Sequence, residues 1–574
     1  MKIEKIEIHH IAMKLVHPFT TSFATQTMHP SVVVAVTGEG ITGWGECTVG
    51  AGPFYSAESI GTCWAIIKDF LAPMLIGKDI TRPEEATQLL KRIRGNEMTK
   101  GGVVNAIWDL CAKAENKSLK EFFDIKDILI KQIIVSKPDL VGFSAFTYNY
   151  QWALKMAKEI KAKIDIPIIF GGIHPTLVPE VVIKNNCVDM VCVGEGENAL
   201  LELVNNLNNQ RRYKIKNLWL KKENKVIKNE IGPLFENLDS LPLPDKELFT
   251  SCQPIYNSGY GLVTGRGCPF NCTFCCANAL KKASGSYGRY IRKRSVDNVI
   301  TELVWAKKKF KSTMITFVDD IFVININWLR EFMPKYKKRV NLPFNCDAHP
   351  ANVTVEMVRL LKKAGCNLLI FGLQSASEKV RRELLGRPET NEQIKKAAQI
   401  CKDEGLNFTI DHILNLPYEK IDDLVKAIEF YNEIRPTVIN TFLLTYYPKA
   451  EITDIAYKAK LLTKKDIELI KQGKSPGTYS LSLGEQRDTT FLKSKKNHNQ
   501  FIFWLNALPL FPRFLIKKVI KNDYLYRNFT APIWIITLTK FLLRIKIGRP
   551  FDTIYISNLL LKRMFVNLKL KYFQ

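Results

Sequence analysis

The chain has 574 residues, of which 46% are hydrophobic and 24% charged, and its 83 Lys+Arg against 56 Asp+Glu leave a formal net charge of +27. That length predicts about three or four domains, each able to bury its own core. Thirteen cysteines without regular spacing, behind a start of Met1-Lys-Ile-Glu-Lys5, argue against a disulfide framework and an apolar signal segment, and point to a reducing cytoplasm. The excess of positive charge invites a nucleic acid or an anionic membrane surface as partner, and its distribution along the chain has to decide between them.

Residues 1–119 open with a strand-like segment over 3–13 and a second strand Ser31-Val-Val-Val-Ala-Val-Thr37. A glycine-rich turn Gly38-Glu-Gly-Ile-Thr-Gly-Trp-Gly-Glu46 is expected next, and helical spacing takes over from Ser59. Through Gly43-Trp-Gly-Glu46 and Asn105-Ala-Ile-Trp-Asp-Leu-Cys-Ala-Lys-Ala114 this part resembles the amino-terminal cap of the enolase superfamily, in its muconate-lactonizing and o-succinylbenzoate synthase branch. The resemblance stops near Leu119, and the barrel that carries the metal-binding carboxylates and catalytic lysines of those enzymes does not follow. The expectation is an α+β accessory module that packs or dimerises, with no enolase-type activity.

From 120 to 208 continuous apolar strands alternate with helices: Pro138-Asp-Leu-Val-Gly-Phe-Ser144, Ile166-Pro-Ile-Ile-Phe-Gly-Gly172 and Cys187-Val-Asp-Met-Val-Cys-Val-Gly194. This alternation predicts a parallel sheet covered on both faces, with ligands at the carboxyl ends of the strands. The Gly171-Gly-Ile-His-Pro-Thr176 and Gly194-Glu-Gly-Glu197 loops resemble those of the cobalamin-binding domain that precedes many radical S-adenosylmethionine (SAM) cores. The resemblance implies cobalamin contacts from Ser144, Gly171, Gly172 and Gly194. The first strand–helix–strand unit of that domain is replaced by the enolase-like cap, so the sheet is expected to be a truncated Rossmann-like one that binds cobalamin weakly. No Asp-x-His-x-x-Gly pattern occurs, and His174 reads as a loop hydrogen-bonder and not a cobalt ligand. Residues 209–251, polar and lysine-rich with Leu241-Pro-Leu-Pro-Asp245, are expected to be a linker.

An apolar run then leads into Gly265-Arg-Gly-Cys268-Pro-Phe-Asn-Cys272-Thr-Phe-Cys275. Thiolates are the usual ligands of iron–sulfur clusters, and a cuboidal cluster wants four, so a tight group of three leaves one iron open. The spacing differs from ferredoxin runs and from paired zinc ligands, and no second pair lies nearby. Three buried or incidental cysteines are the competing account, and Cys276 reads as a packing bystander. The spacing, with Phe274 before the last cysteine, resembles the radical SAM enzymes, in which the open iron chelates the amino and carboxylate groups of SAM. The resemblance implies a 4Fe-4S cluster on Cys268, Cys272 and Cys275.

Over 252–460 strands expected at Met314-Ile-Thr-Phe-Val-Asp-Asp320, Phe344-Asn-Cys-Asp-Ala348, Asn367-Leu-Leu-Ile-Phe-Gly-Leu-Gln-Ser375, Phe408-Thr-Ile-Asp-His-Ile-Leu414 and Val438-Ile-Asn-Thr-Phe-Leu-Leu-Thr445 alternate with helices. Such units close into a full or partial (β/α) barrel with its chemistry at the strand ends. The resemblance to cobalamin-linked radical SAM cores covers the whole region. It implies SAM contacts from Phe274, Asp319 and Asp320, from Gln374 and Ser375, and from Arg387, although acids at a strand end also serve as helix caps. The adenine-side loop, Gly-Leu-Pro-Gly-Glu in the family, reads Asn415-Leu-Pro-Tyr-Glu419, and loss of both glycines is expected to tighten or distort it.

Residues 461–574 form a basic helical region. Phe501-Ile-Phe-Trp-Leu505, Leu510-Phe-Pro-Arg-Phe-Leu-Ile-Lys-Lys518 and Ile533-Trp-Ile-Ile-Thr-Leu-Thr-Lys-Phe-Leu-Leu-Arg544 are too short to span a bilayer. They suit either a peripheral contact on the inner membrane surface or a helical cap buried against the barrel. No nucleic-acid module is recognisable, so no nucleic acid is expected. The fold expected is an α/β multidomain chain: α+β enolase-type cap, truncated parallel sheet, partial radical SAM barrel and helical carboxyl-terminal region. The leading functional expectation is a cytoplasmic radical SAM enzyme, cobalamin-linked, that takes electrons from a flavodoxin or ferredoxin and methylates or rearranges a small hydrophobic substrate. A catalytically impaired, cluster-bearing binding or membrane-associated fusion is the alternative. An RNA-modifying methylthiotransferase lacks its second cysteine trio here.

Overall fold

The computed structural model describes residues 1–20, 25–53, 56–80, 82–119, 125–223, 225–249, 259–283, 288–474 and 495–522. They divide into two compact units, Met1–Pro138 and Asp139–Gln574.

In the first unit β1 (Lys5–Thr20), β2 (Thr25–Gly38) and β3 (Ile41–Cys47) form an antiparallel sheet in the order β1-β2-β3. The stretch 38–46, expected as a glycine-rich turn, is a corrected reading: only Glu39 and Gly40 turn, with φ of +52° and +76°, and the rest is β3. The other glycines serve close packing. A Cβ on Gly43 would lie 2.1 Å from the Ala106 carbonyl oxygen, and one on Gly45 2.1 Å from that of Gly102, so the strand rests directly on the backbone of the helix Glu97–Ala114. The two stretches that carry the enolase-type resemblance therefore pack on each other, and the Trp44 amide donates to Asp109 Oδ2 at 2.8 Å. Val32, Val34, Val36, Val103, Ala106 and Ile107, all fully buried, fill the core between sheet and helix. Buried Glu58 accepts from the Met98 and Thr99 amides at 2.9 and 2.8 Å, placing an anion at that helix's amino end. The helix expected from Ser59 begins there, with Ser59 and Thr62 forming a capping box.

The second unit contains two sheets. In the first, β4 (Val141–Ser144), β5 (Ile168–Gly171) and β6 (Met190–Cys192) are parallel neighbours. β7 (Leu218–Lys222) and β8 (Lys225–Lys228) extend it antiparallel, to give the order β4-β5-β6-β7-β8. The span 209–251 is thus no bare linker, a second correction. Its lysines sit on a hairpin at the sheet edge, where charge discourages further strand pairing. Ile215, Leu218 and Leu220 of that span are buried with Ile169 and Met190.

The second sheet joins β9 (Tyr260–Leu262), β12 (Ile315–Phe317), β13 (Phe344–Ala348), β14 (Cys366–Gln374), β15 (Phe408–Leu414) and β16 (Val438–Leu443), all parallel and in that order from one edge to the other. The short β10 (Gly265–Arg266) and β11 (Arg292–Lys293) pair as a separate ribbon. Helices Val296–Phe310, Ile326–Arg339, Val355–Ala364, Asn391–Asp403 and Ile421–Ile434 make the crossovers. Ser295, Asn325, Thr354 and Thr390 cap four of them with their side-chain oxygens. Strand residues Phe317, Phe344, Cys346, Leu369, Phe371, Phe408, Ile410 and Ile439 bury themselves against these helices. Asn345, Asp347, Thr409, Asp411 and Asn440, which alternate with them, face the other way.

The carboxyl-terminal segment divides. Phe501, Phe503 and Leu505 of the helix Lys495–Ala507, and Ile516 of the helix Arg513–Lys521, are buried, most of them in the same core. Arg435 fixes the turn between these helices by donating to the Leu508 and Phe511 carbonyls at 3.1 and 2.8 Å. The first basic-aromatic stretch is therefore a cap on the sheet. The third, 533–544, lies outside the described residues. Among the described residues no helix is long and apolar enough to cross a membrane.

Candidate active site

The cysteine loop starts where β10 ends. Gly267 has φ of +89°, and a Cβ there would lie 2.4 Å from the Tyr290 carbonyl oxygen, so only glycine lets the chain turn this tightly past β11. The loop is then held from two sides. The Thr273 amide and hydroxyl donate to the carbonyls of Leu385 and Leu384 at 3.1 and 2.7 Å, and the Ile452 amide donates to the Thr273 carbonyl at 3.0 Å. Gly386, with φ of +65°, lies where a Cβ would stand 3.0 Å from the Asn271 carbonyl oxygen. Phe274 packs into the apolar group of Leu385, Ile413, Leu416 and Leu444 and thereby anchors the loop.

Cys272 is buried, Cys268 and Cys275 half-buried, and Cys276 begins the helix Cys276–Ala283. Hydrogen bonding from the Cys276 thiol and from the Ala277 and Asn278 amides at that helix start lowers the Cys275 thiol, against burial. Cys276 is pushed up in exchange. Burial pushes Cys268 up to about 11. Among the described residues no group of three His, Cys, Asp or Glu side chains converges as the ligands of one ion do. An all-thiol donor set on one braced loop suits the cluster.

The expected SAM residues separate into two kinds. Asp319, at the end of β12, is buried and its carboxylate is occupied: it accepts from the Thr264 amide at 3.0 Å and hydroxyl at 2.6 Å, and Lys293 Nζ lies 3.3 Å away. It braces the strand ends that lead into the cysteine loop. Asp320 is exposed, and its charge is among those that raise Cys268 and Cys275, so this carboxylate stands on the cysteine side. Gln374 ends β14 in the left-handed region, with φ of +70°, its side-chain amide folded over Gly372. Buried Ser375 starts the next turn, its hydroxyl accepting from the Ser377 amide at 3.3 Å. Arg387 does not extend into open space. It is buried against Cys272 and Glu389.

The Asn415–Glu419 loop, expected on the adenine side, is closed by its own hydrogen bonds. Asn415 and Tyr418 hold the left-handed backbone that glycines would adopt there, with φ of +66° and +63°. Asparagine tolerates this readily, while tyrosine stores about 1 kcal/mol of strain. Half-buried Glu419 accepts from the Asn415 and Leu416 amides and ties the loop; desolvation of its carboxyl pushes it up to about 8.

At the other sheet Ser144, Gly171 and Gly172, and Gly194 lie at the ends of adjacent strands β4, β5 and β6. A Cβ on Gly172, whose φ is +94°, would meet the Ala145 amide nitrogen at 2.9 Å and Ser144 Oγ at 3.0 Å. His174 is fully buried, its Nδ1 3.2 Å from Thr147 Oγ1 and its ring 4.3 Å from that of Tyr150, and burial lowers it to about 4. The exposed, stacked rings of Phe146 and Tyr148 stand just beyond β4, 5.4 Å apart.

Several residues of the site escaped the sequence reading. Glu195 and Glu197 of the Gly194-Glu-Gly-Glu loop bind arginines of the cysteine ribbon: Arg292 grips Glu195 through two nitrogens at 2.9 and 2.7 Å, and Arg266 reaches Glu195 at 3.1 Å and Glu197 at 2.5 Å. Only the acid-rich loop and the basic stretch after the cysteines hinted at this. Arg381, fully buried, pins the Ser375 and Glu389 carbonyls and Asn391.

Asp347 and Asp411 stand on the sheet face away from the helices. Burial, together with Asp411, Asp319 and Asp320, raises Asp347 to about 7; burial raises Asp411 to about 6 against a hydrogen bond from Asn440. A carboxyl whose folded pKa lies above its unfolded value of about 3.9 stabilises the protein most below that value. That stability is lost as pH rises from about 4 through 7. Asp347→Asn is therefore expected to be more stable than the parent at pH 8 and to lose the advantage at pH 4. The gain is up to about 4 kcal/mol, since each tenfold difference in proton affinity between folded and unfolded chains is worth about 1.4 kcal/mol. Urea unfolding across that range is the check, and parallel profiles for parent and variant would refute the assignment.

Comparison with known proteins finds three family matches along the chain. Residues 262–431 match the radical SAM superfamily, 113–204 the B12 binding domain, and 4–123 the N-terminal domain of the mandelate racemase/muconate lactonizing enzyme family. An uncharacterized methyltransferase of Pyrococcus horikoshii is 29% identical over 59% of this chain and 73% of its own length. The o-succinylbenzoate synthase of Bacillus subtilis is 40% identical over 21% of this chain, which covers only 33% of that enzyme. The fold is similar to the cobalamin-dependent SAM radical enzyme OxsB with aqua-cobalamin bound, at a TM-score of 0.53 and 13% identity over 97% of this chain and 91% of that one. The recognition made from the cysteine spacing and the glycine loops is borne out: a radical SAM domain follows a B12-binding domain, behind an enolase-superfamily N-terminal domain.

Proposed function

We propose that Cys268, Cys272 and Cys275 hold a 4Fe-4S cluster whose fourth iron takes SAM, and that cobalamin lies at the ends of β4, β5 and β6. When bound, these groups supply reductive cleavage of SAM and methyl or radical transfer. The observation that carries the reading is the all-thiol loop braced by Leu384, Leu385 and Gly386, with exposed Asp320 beside it and occupied Asp319 behind it. Asp320, Gln374 and the Asn415–Glu419 loop are the groups that would receive SAM. Phe274, Ser375 and Asp319 would support them from behind.

A hydrophobic substrate is supported by exposed Val318 and Phe442 on the sheet face that also bears Asp347 and Asp411, and by the exposed Phe146–Tyr148 stack. Methylation or rearrangement of such a substrate in the cytoplasm, with a flavodoxin or ferredoxin as one-electron donor, is the activity proposed. The domain division proposed is 1–119, 120–208, 252–460 and 461–574, with 209–251 serving as a β-hairpin extension of the B12-type sheet. Exposed Phe514 and Leu515, next to Lys518 and Lys521, support a peripheral contact with anionic lipid.

Cobalamin binding tests the reading. Among the described residues three parallel strands present their ends, so reconstitution with hydroxocobalamin followed by gel filtration is expected to give weak binding. Electron paramagnetic resonance (EPR) of the cob(II)alamin form is expected to show no nitrogen splitting from the protein, because His174 is buried on Thr147 and Tyr150. Tight stoichiometric binding with a splitting lost in His174→Ala would contradict this account of the histidine. Absence of any cobalamin binding would remove the cofactor from the proposal.

A further inference from the structure

A chain of buried polar and charged groups runs from Cys272 and returns to the same loop. Arg387, 6% exposed, donates from Nη1 to Cys272 Sγ at 3.5 Å and from Nε to Glu389 Oε1 at 2.6 Å. Glu389 is fully buried, and its Oε2 lies 3.3 Å from Nε2 of His349, which is itself buried. The His349 ring stacks on Phe270, between the first two cysteines of the loop, with centroids 4.0 Å apart and planes 11° from parallel. Left-handed Gly386 brings Arg387 under Asn271. Burial alone would raise the Glu389 carboxyl, but His349 and Arg387 together hold it below the ordinary carboxylate range.

Taking the Arg387 and Glu389 charges out of water is costly, and an apolar trio of the same volume would fill the space at less cost. The one feature that an apolar trio could not reproduce is a fixed cation with an N–H directed at a cysteine sulfur. We propose that Arg387 sets the reduction potential of the cluster and fixes the Cys272 side chain, with Glu389 and His349 as positioning residues that hold the guanidinium on that sulfur. The inference rests on the assignment of Cys268, Cys272 and Cys275 as cluster ligands. In the step concerned the cluster gains one electron from a low-potential carrier, no bond is made or broken, and the added negative charge spreads onto the cysteine sulfurs. A donor and cation beside one of these sulfurs stabilise the reduced form more than the oxidised form and raise the potential. Glu389 acts with the opposite sign by neutralising part of that cation.

The test uses the full chain, reconstituted anaerobically with iron and sulfide and titrated potentiometrically while the EPR signal of the reduced cluster is followed. Arg387→Gln is expected to shift the ratio of reduced to oxidised cluster at fixed potential about tenfold toward oxidised, which for one electron is a midpoint about 59 mV more negative. Glu389→Gln is expected to move the midpoint the other way, and Arg387→Lys to fall between parent and Arg387→Gln. A purely structural role predicts no such reversal of sign. Midpoints that coincide with the parent in both variants, or that move in the same direction, overturn the inference. If Arg387→Gln loses its iron, pulsed EPR on the parent with ¹⁵N-arginine decides: a coupled nitrogen supports the contact and its absence overturns it. A parent that takes up no cluster removes the thiol assignment and the inference together, and its iron content separates that outcome from failure of the inference alone.

Discussion

Replacing Cys268, Cys272 or Cys275 by alanine, one at a time, is expected to abolish SAM cleavage. Each change leaves a second iron without a thiolate, and the loop offers no substitute at the right place. Cys276 is the nearest thiol, but it sits at the first position of the helix Cys276–Ala283 and donates its hydrogen to Cys275. Cys276→Ala is therefore expected to keep the brown chromophore and the activity. Iron and sulfide per chain, measured with methionine released from SAM under reducing conditions, check the series. A full cluster with undiminished cleavage in Cys272→Ala would be incompatible with the assignment.

Glu195→Ala is expected to destabilise the second unit by about 3 kcal/mol or more, as is usual when one partner of a buried ion pair is removed. The carboxylate receives two nitrogens of buried Arg292, one of Arg266 and the Phe235 amide, so its loss leaves a guanidinium that is 4% exposed without its counter-charge, held only by the Phe235 and Tyr290 carbonyls. Those arginines stand in β10 and β11, at the entry to and return from the cysteine loop. Cluster retention is expected to fall with stability. A double-mutant cycle with Arg292→Ala measures the coupling, and independent effects of the two changes would show that the pair does not tie the B12-type sheet to the loop.

The strands of the larger sheet were legible because each is a short run rich in β-branched and aromatic residues between amphipathic helices; β12, β13, β15 and β16 fall within the expected stretches, and β14 starts one residue earlier, at Cys366. Short polar strands left no such mark. Leu218-Trp-Leu-Lys-Lys222 and Lys225-Val-Ile-Lys228 read as linker because edge strands carry lysines for the same reason that linkers do. Gly43 and Gly45 resemble turn residues until the helix Glu97–Ala114 is seen pressing on them. The apolar periodicity of 501–521 was ambiguous in principle, since a face that suits lipid also suits a protein core.

Within the site, the cysteines were marked by spacing and the acids by their place at a strand end. Spacing alone could not show that Asp319 is consumed by Thr264 and Lys293 while its neighbour Asp320 stays exposed. Nor could it reveal that Glu389, two residues beyond Arg387, turns its carboxylate back onto that guanidinium and meets His349 from the end of β13. The left-handed Tyr418 is a case in which tertiary structure overrides local preference. The loop keeps its conformation without its glycine because Glu419 ties it from beneath.

The central claim is an iron left open by a three-thiol ligand set and filled by SAM. It is tested most directly by pulsed EPR of the reduced, reconstituted chain with SAM labelled at the amino nitrogen with ¹⁵N and at the carboxylate with ¹⁷O. The account predicts a change in the cluster signal on adding SAM and hyperfine coupling to both labels. A reduced cluster whose signal is unchanged by SAM and couples to neither label would contradict it.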